Sequence, residues 1–558
     1  MIMLVDSPAA ERANSPSLAF ALLVILYYVL FLIVYYSAIS KFLDSKVKGG
    51  GMMNRRTFLF HAPPLLATLN SAFRPLASFF TPESSLTYAI DTGKRIGTVP
   101  KNVMGLSYES TQLGDATYFD PSNRGLVHLF RTLSANGVLR LGGNTSDFTY
   151  FKSHPSQAAP AYLPKPTQPK ELTPITPRAL HNLRAFLDAT GWTCIYGLNL
   201  GTAAPDAVAE EAAFVIHALG AKLEYLQIGN EANNYVRKNI RPSTWDPKAY
   251  VDEWLIFARA VIKRNPRVKL GGPDMGAVRP WMKQFADQAM PAVGDHIVAI
   301  TDHFYAEGPP TSPESTMHNL LFNTKILHEI EVTKEAGAIA KRPYRMTEVN
   351  SCYSGGKPGV SDTLGSALWA GDLTLDLVAQ GFCGVNFHGG GGKEIRASLG
   401  GALDGDHVAS SEAADSYYTP IAGTRASGYL VRPIYYGMLL AAQMAGSDLV
   451  QGSFSSAQPS LAAYSSINVD SHSLQSAFFN KGSEPVEFAV RSPHQLKTAT
   501  VVRLHGPSIE ATSGVTFGPE ISPNANWRLP AEEQLRPTSD GSFVLSMPPT
   551  TAAFVSFR

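Results

Sequence analysis

TCIYGLNL (Thr193–Leu200), AVAEEAAFVIHAL (Ala207–Leu219) and LEYLQIGNE (Leu223–Glu231) follow one another with only short connections between them. The first and third are short apolar runs of strand character. The second repeats its apolar residues at helical spacing. Strand, helix, strand is a βα unit of a parallel sheet, and the pattern extends in both directions. Eight apolar runs can be counted: Val103–Ser107, Val138–Gly142, Thr193–Leu200, Leu223–Ile228, Lys269–Pro273, Val298–Tyr305, Tyr344–Val349 and Phe382–Phe387. Helical stretches such as Pro177–Thr190, Ala207–Leu219 and Pro247–Arg264 fall between them. Eight strands with intervening helices is the count of a (β/α)8 TIM barrel, an α/β fold.

Active sites of such barrels collect at the C-terminal ends of the strands. The polar residues of this chain fall there: Arg140 and Asn144 at the second run, Asn230 and Glu231 after the fourth, His303 and Tyr305 at the sixth, Glu348 at the seventh, Asn386 and His388 at the eighth. A proline-rich insertion, Ser153–Pro177, follows the second strand and is expected to wall the cleft. From residue 431 the pattern changes to short alternating strands separated by turns, which reads as a C-terminal antiparallel β-sandwich over 431–558. The barrel then occupies 101–430, and the strand in 84–100 is expected to join the sandwich.

Hydrophobic residues at 44% and charged residues at 17% describe an ordinary folded protein. Upstream of Ala77 there are seven Lys or Arg and three Asp or Glu, a net of 7 − 3 = +4; against +1 for the whole chain, the remainder carries 1 − 4 = −3. Nothing in that balance points to nucleic acid. Three cysteines make no disulfide framework. Cys194 and Cys383 lie in apolar runs, and Cys352 lacks the His/Asn pattern of a nucleophile.

Two N-terminal features conflict. Residues 18–40 are uncharged and long enough to span a bilayer. Soon after, Met53-Asn54-Arg55-Arg56-Thr57-Phe58-Leu59 resembles a twin-arginine export signal. Because the lysines and arginines follow the apolar span, an anchored form would hold the body in the cytoplasm. The expectation is translation from Met52 or Met53, with 1–52 an over-long extension, 53–80 a signal peptide, and a periplasmic or secreted product. A membrane-anchored protein is the alternative if the span is retained.

Glycoside hydrolysis needs two carboxylates flanking one bond. Glu231 leaves the fourth strand beside Gly229 and Asn230, and Glu348 leaves the seventh, which faces the fourth across the barrel. Separated by about 5–5.5 Å, such a pair retains configuration, one acting as nucleophile. Asn230 can hydrogen-bond a sugar hydroxyl next to the anomeric carbon.

At these residues the chain resembles glycoside hydrolase family 79, the β-glucuronidase and heparanase group of the retaining barrel glycosidases. Three segments carry the likeness: Leu139-Arg140-Leu141-Gly142-Gly143 with Asp147-Phe148; Gly229-Asn230-Glu231-Ala232-Asn233; and Glu348 through Pro358 (EVNSCYSGGKP) with Ser361-Asp362-Thr363. The resemblance covers roughly 84–558. It implies that Glu231 is the acid/base and Glu348 the nucleophile. It further implies that Tyr353 and amides around Gly355 hold the sugar carboxylate, and that Glu109, Asn144, Tyr305 and Asn386 line the sugar pocket. Glycine-flanked amides and a phenol hydroxyl are suited to an anion.

The implied function is retaining exo-β-glucuronidase on a glycan carrying β-linked glucuronic or 4-O-methylglucuronic acid. The alternatives are a heparanase-like endo-β-glucuronidase, which the basic cluster Arg237, Lys238 and Arg241 would suit, and a non-catalytic carbohydrate-binding protein. No cofactor is expected. His303 and His388 lack metal-site spacing and read as hydrogen-bonding groups, so no metal is assigned. Trp245 and Trp369 are either sugar platforms or core.

Overall fold

The computed structural model describes residues 86–165, 168–322, 324–398, 416–530 and 533–558. The apolar span and the twin-arginine segment lie outside them. Among the described residues, no helix is long and apolar enough to cross a membrane.

Each of the eight apolar runs forms a strand of one closed, parallel barrel. In order they are Met104–Glu109, Val138–Gly142, Thr193–Leu198, Leu223–Ile228, Leu270–Gly276, Ile297–Glu307, Tyr344–Cys352 and Val385–Gly389, the last pairing with the first. Some of the helices between them start at a side-chain cap. Thr176 and Asp246 accept hydrogen bonds from the amides of Ala179 and Ala249, each with proline at the next position. Helix Pro177–Thr190 turns Leu180, Leu183, Phe186 and Leu187 inward and ends at the left-handed Gly191.

The last barrel helix, Pro433–Ala442, falls inside the stretch assigned above to the sandwich. It packs on helix Leu364–Ala379, and a Cβ on Gly437 would lie 1.8 Å from the Ala367 carbonyl oxygen. The sandwich strands begin at Ser447.

Among the described residues, ten strands make the second domain, hydrogen-bonded in the order Thr516–Phe517, Ala499–His505, Thr551–Phe557, Leu474–Asn480, Leu461–Asn468, Ser447–Phe454, Thr87–Val99, Val486–Arg491, Phe543–Met547, with Glu533–Leu535 added on Ala499–His505. It is one sheet curled on itself. Phe543 and Phe557 stand six ladder steps apart yet their rings meet at 5.5 Å. Phe543, Leu545 and Met547 point inward while Val544 and Ser546 point out, the period-2 pattern of a half-buried strand. Thr87–Val99 lies within this sheet, antiparallel to Ser447–Phe454 and, over three residues, parallel to Val486–Arg491.

Candidate active site

Arg140 points into the barrel from the second strand and is fully buried. Its Nη1 donates to Glu348 Oε2 (2.5 Å) and Ser107 Oγ (3.0 Å); its Nη2 donates to Asn230 Oδ1 (2.6 Å) and Asp274 Oδ2 (2.6 Å). The glycine pair that follows makes room. A Cβ on Gly142 would meet the Arg140 guanidinium carbon at 2.4 Å. One on Gly143, which holds φ 70°, would meet Glu109 Oε2 at 2.3 Å.

Glu231 and Glu348 face one cavity of about 340 Å³ at the C-terminal end of the barrel. One carboxylate oxygen of each and one nitrogen of His303 lie within 4.8 Å of one another. Glu348 Oε1 accepts from the Tyr305 hydroxyl at 2.7 Å. Glu231 Oε2 accepts from Asn234 Nδ2 (3.1 Å) and faces Lys238 Nζ (3.5 Å), while Oε1 lies 3.4 Å from His303 Nδ1. Glu231 itself sits in the left-handed region (φ 47°), its N–H bonded to the Asp274 carbonyl at 2.8 Å.

Three carboxylates (Glu231, Asp274, Glu348) thus meet Arg140, Lys238 and His303. Burial alone would raise the Glu231 carboxyl, but Lys238 and His303 more than offset it and hold it at about 2. Burial opposes ionisation of Glu348 as well, and His388, His303 and Arg140 outweigh it, keeping the group well below the usual carboxylate range. Burial opposes the charge on His303, yet Asp274 and Glu348 bring its imidazole up to about 10. Glu231, His303 and Glu348 also offer one ligand atom each in metal-like proximity. Both His303 nitrogens already face carboxylates, and Arg140 and Lys238 set two positive charges beside them. The cluster therefore reads as a hydrogen-bonded network.

Of the residues singled out in the sequence, Glu109, Asn144, Glu231, Tyr305, Glu348 and Tyr353 line the cavity together. Asn230 is buried directly behind it, bonded to Arg140 and Asn144. Glu109 accepts from the Thr145 amide (2.9 Å) and hydroxyl (2.7 Å) and faces His388 Nε2 at 3.4 Å.

Asn386 does not line the cavity. It points into the barrel one layer lower, bonding Arg345 Nε (2.7 Å) and the Val138 (2.9 Å) and Leu106 (3.2 Å) carbonyls. His388, two residues on and on the same inward face, is the residue that reaches the cavity. Gly355 does not line it either. Its carbonyl accepts from the Tyr417 amide (2.7 Å), and Ser354, Gly355 and Gly356 run through φ values of 60°, 87° and 86°. This left-handed turn sets Tyr353 and Ser354 on the wall, against Tyr418.

Lys357 turns away to the Ser315 carbonyl (2.8 Å), and Arg241 turns away to Glu253 and the Leu200 and Gly201 carbonyls. The basic cluster at the cavity therefore reduces to Arg237 and Lys238. Among the described residues, the 153–177 insertion supplies none to the cavity lining. Lys165 and Gln168 instead bond the carbonyls of Lys238 and Asn239, bracing that segment from outside.

Trp245 and Trp369 are core: the first donates to the Ala232 carbonyl (2.8 Å), the second packs on Phe387. Cys194 and Cys352 are buried, whereas Cys383 is partly exposed at the barrel floor. Sequence reasoning missed Asp274, Asn234, Ser398 and Tyr418. Asp274 carried a usable signal, an acidic residue ending an apolar strand as Glu231 does. Tyr418 carried none, because it follows the eighth strand outside the βα rhythm.

No family model matches the chain. It is 28% identical over 296 residues to a β-glucuronidase of Aspergillus niger, an alignment covering 48% of this chain and 54% of that protein. It is likewise 28% identical over 295 residues to one of Neurospora crassa, covering 48% and 52%. The chain thus spans about half the length of the curated relatives it matches. Among solved structures, a 4-O-α-L-rhamnosyl-β-D-glucuronidase of Fusarium oxysporum superposes with a TM-score of 0.64 at 14% identity, covering 84% of this chain and 100% of that one. An α-L-arabinofuranosidase of Thermotoga maritima gives 0.60 at 16%, covering 85% and 99%. In sequence the chain is similar to fungal β-glucuronidases over about half its length, and in fold it is a (β/α)8 barrel with a β-sandwich like these glycosidases.

Proposed function

We propose that the protein is a retaining exo-β-glucuronidase, with Glu348 as nucleophile and Glu231 as acid/base. The observation that carries this is the approach of the two carboxylates to within 4.8 Å across the cavity. So close an approach of one oxygen from each favours a retaining pair, whose carboxyl groups stand about 5–5.5 Å apart, over an inverting pair at roughly 6.5–9.5 Å. Attack by Glu348 on the anomeric carbon breaks the glycosidic bond while Glu231 protonates the departing oxygen. Water, deprotonated by Glu231, then releases the sugar. Arg140 and Tyr305 hold Glu348 ionised and oriented.

Glucuronic acid is supported by the curated relatives and by Tyr353, Ser354 and Lys238 around the cavity. The cavity lies at the lower end of small-molecule sites (roughly 300–1,000 Å³), which favours one terminal sugar over a groove. The exposed Arg237 beside Lys238 favours a second reading, endo-cleavage next to an anionic sugar. Product length from an acidic polysaccharide separates the two. The direct test is a set of aryl β-glycosides differing only at C5: the glucuronide should be turned over and the glucoside and xyloside far less, and a preference for the xyloside would remove the proposal. Twin-arginine export belongs to the same proposal. Arg55→Lys with Arg56→Lys should keep the protein in the cytoplasm, and export of that variant would refute the route.

A further inference from the structure

Asp274 lies toward the C-terminal end of the fifth barrel strand, in the left-handed region (φ 63°), is 1% exposed, and does not line the cavity. Its carboxylate is surrounded by donors. Oδ2 accepts from Arg140 Nη2 (2.6 Å); Oδ1 accepts from His303 Nε2 (2.9 Å), Thr347 Oγ1 (2.9 Å) and Gln227 Nε2. A carboxylate so placed only accepts, so the nitrogen facing it carries the imidazole proton. The competing contact, Arg140 Nη2 to the same nitrogen, is longer at 3.5 Å. A neutral His303 then presents the Nδ1 lone pair to Glu231 Oε1, 3.4 Å away.

We propose that Asp274 is a positioning residue that makes His303 the proton partner of Glu231: with Nε2–H committed to Asp274, one exchangeable proton is shared across the Nδ1···Oε1 contact. In the resting site it lies on Nδ1, where Asp274 and Glu348 stabilise the charge. For glycosylation it passes to Glu231, then to the glycosidic oxygen as the C1–O bond breaks and the Glu348–C1 bond forms. In deglycosylation the attacking water bonds C1, the Glu348–C1 bond breaks, and the water's proton goes to Glu231 and back to Nδ1. The groups facing His303 from all sides are consistent with this. Arg140 opposes the charge and Asp274, Glu231 and Glu348 favour it. Asp302, on its own strand, accepts from the His303 amide (2.8 Å) and the Thr333 hydroxyl (2.5 Å), and Glu329 of helix Lys325–Ala340 accepts from the Ala277 amide (2.8 Å).

The proposal rests on the reading of Glu231 as acid/base, and its test separates the two. In Asp274→Asn the amide must set an N–H against one of the donors. The basic limb of kcat/KM for an alkyl β-glucuronide should move down by at least about one pH unit. The rate at neutral pH should fall about a hundredfold, against about tenfold or less for a dinitrophenyl glucuronide, which needs little protonation. Equal losses on both substrates with an unmoved basic limb would overturn the proposal. Should the variant not fold, ¹⁵N-histidine NMR of the wild type decides, with the His303 signal assigned by its loss in His303→Gln. An Nε2–H tautomer at high pH supports the pair and Nδ1–H overturns it, with no substrate involved. Nε2–H in a protein that hydrolyses no glucuronide would remove the glucuronidase reading and leave the proton pair standing.

Discussion

Two arginines point into the same barrel, both all but fully buried, and they keep different company. Arg140, near the C-terminal mouth, is bonded to the carboxylates of Asp274 and Glu348 and to Asn230. Arg345, at the floor, has no carboxylate partner among the described residues and bonds Asn386 Oδ1 (2.7 Å) and the carbonyls of Asn102 (3.2 Å) and Cys383 (3.4 Å). A guanidinium on carbonyls closes the narrow end of the barrel and satisfies backbone groups. A guanidinium on two carboxylates brings together charges that would otherwise repel, and removing it leaves them buried with one counter-charge fewer. The same residue type thus serves architecture at one end and gathers the cavity carboxylates at the other.

The comparison breaks first, and most severely, at the mouth. Glu348→Ala should lose turnover by several orders of magnitude, with azide restoring it as the inverted glycosyl azide. Glu231→Ala should keep more activity on good leaving groups, and its azide product should have retained configuration. The opposite stereochemistry in the two variants would exchange their roles. Next comes the arginine pair itself. Arg140→Met should lower kcat about a thousandfold or more, because two buried carboxylates lose the cation they share. Arg345→Met should leave kcat within a few-fold and show in the melting temperature instead. Similar kinetic losses in both would erase the distinction between mouth and floor.

A smaller effect sharpens the mouth. If Tyr353 holds the sugar carboxylate as proposed, Tyr353→Phe loses one charge-assisted hydrogen bond, about 1.5–3 kcal/mol, and should cut kcat/KM for an aryl glucuronide about ten- to a hundred-fold. The xyloside should be far less affected, and Lys357→Ala, whose ammonium points to Ser315, should cost less than Tyr353→Phe. The smallest effect belongs to the floor. Asn386→Ala should leave KM unchanged and cost about 1–3 kcal/mol of stability by stranding Arg345 Nε and two backbone carbonyls. A raised KM there would return Asn386 to the sugar pocket.

The barrel was legible because its strands are buried on both faces and so appear as apolar runs, with Glu231 and Glu348 standing out where those runs end. Helix Pro433–Ala442 was not, because it is buried on nearly every side and shows no polar face to betray its period. Asn386 was placed on the correct face of its strand but in the wrong layer. Alternation tells inward from outward and says nothing of depth, so Asn386 and His388 look alike until the neighbouring strands set their height. Asp274 was overlooked because its role lies in whom it bonds, and none of its four partners is near it in sequence. The 153–177 insertion was expected on the cavity and braces the Lys238 segment instead, since a polar composition fixes exposure and leaves position open.

Strand Thr87–Val99 has a consequence for how the chain is made. Its sheet partner Ser447–Phe454 begins 447 − 99 = 348 residues later. At ribosomal speeds of ~5–20 residues per second, the strand waits roughly 17–70 s for that partner. All eight barrel strands are synthesised in that interval, so the barrel can close while the first strand still has an unpaired edge. Such an edge is a template for pairing with another nascent chain. The order of synthesis therefore makes this short segment, far along the chain from Glu231 and Glu348, a point at which nascent chains are exposed to pairing with one another.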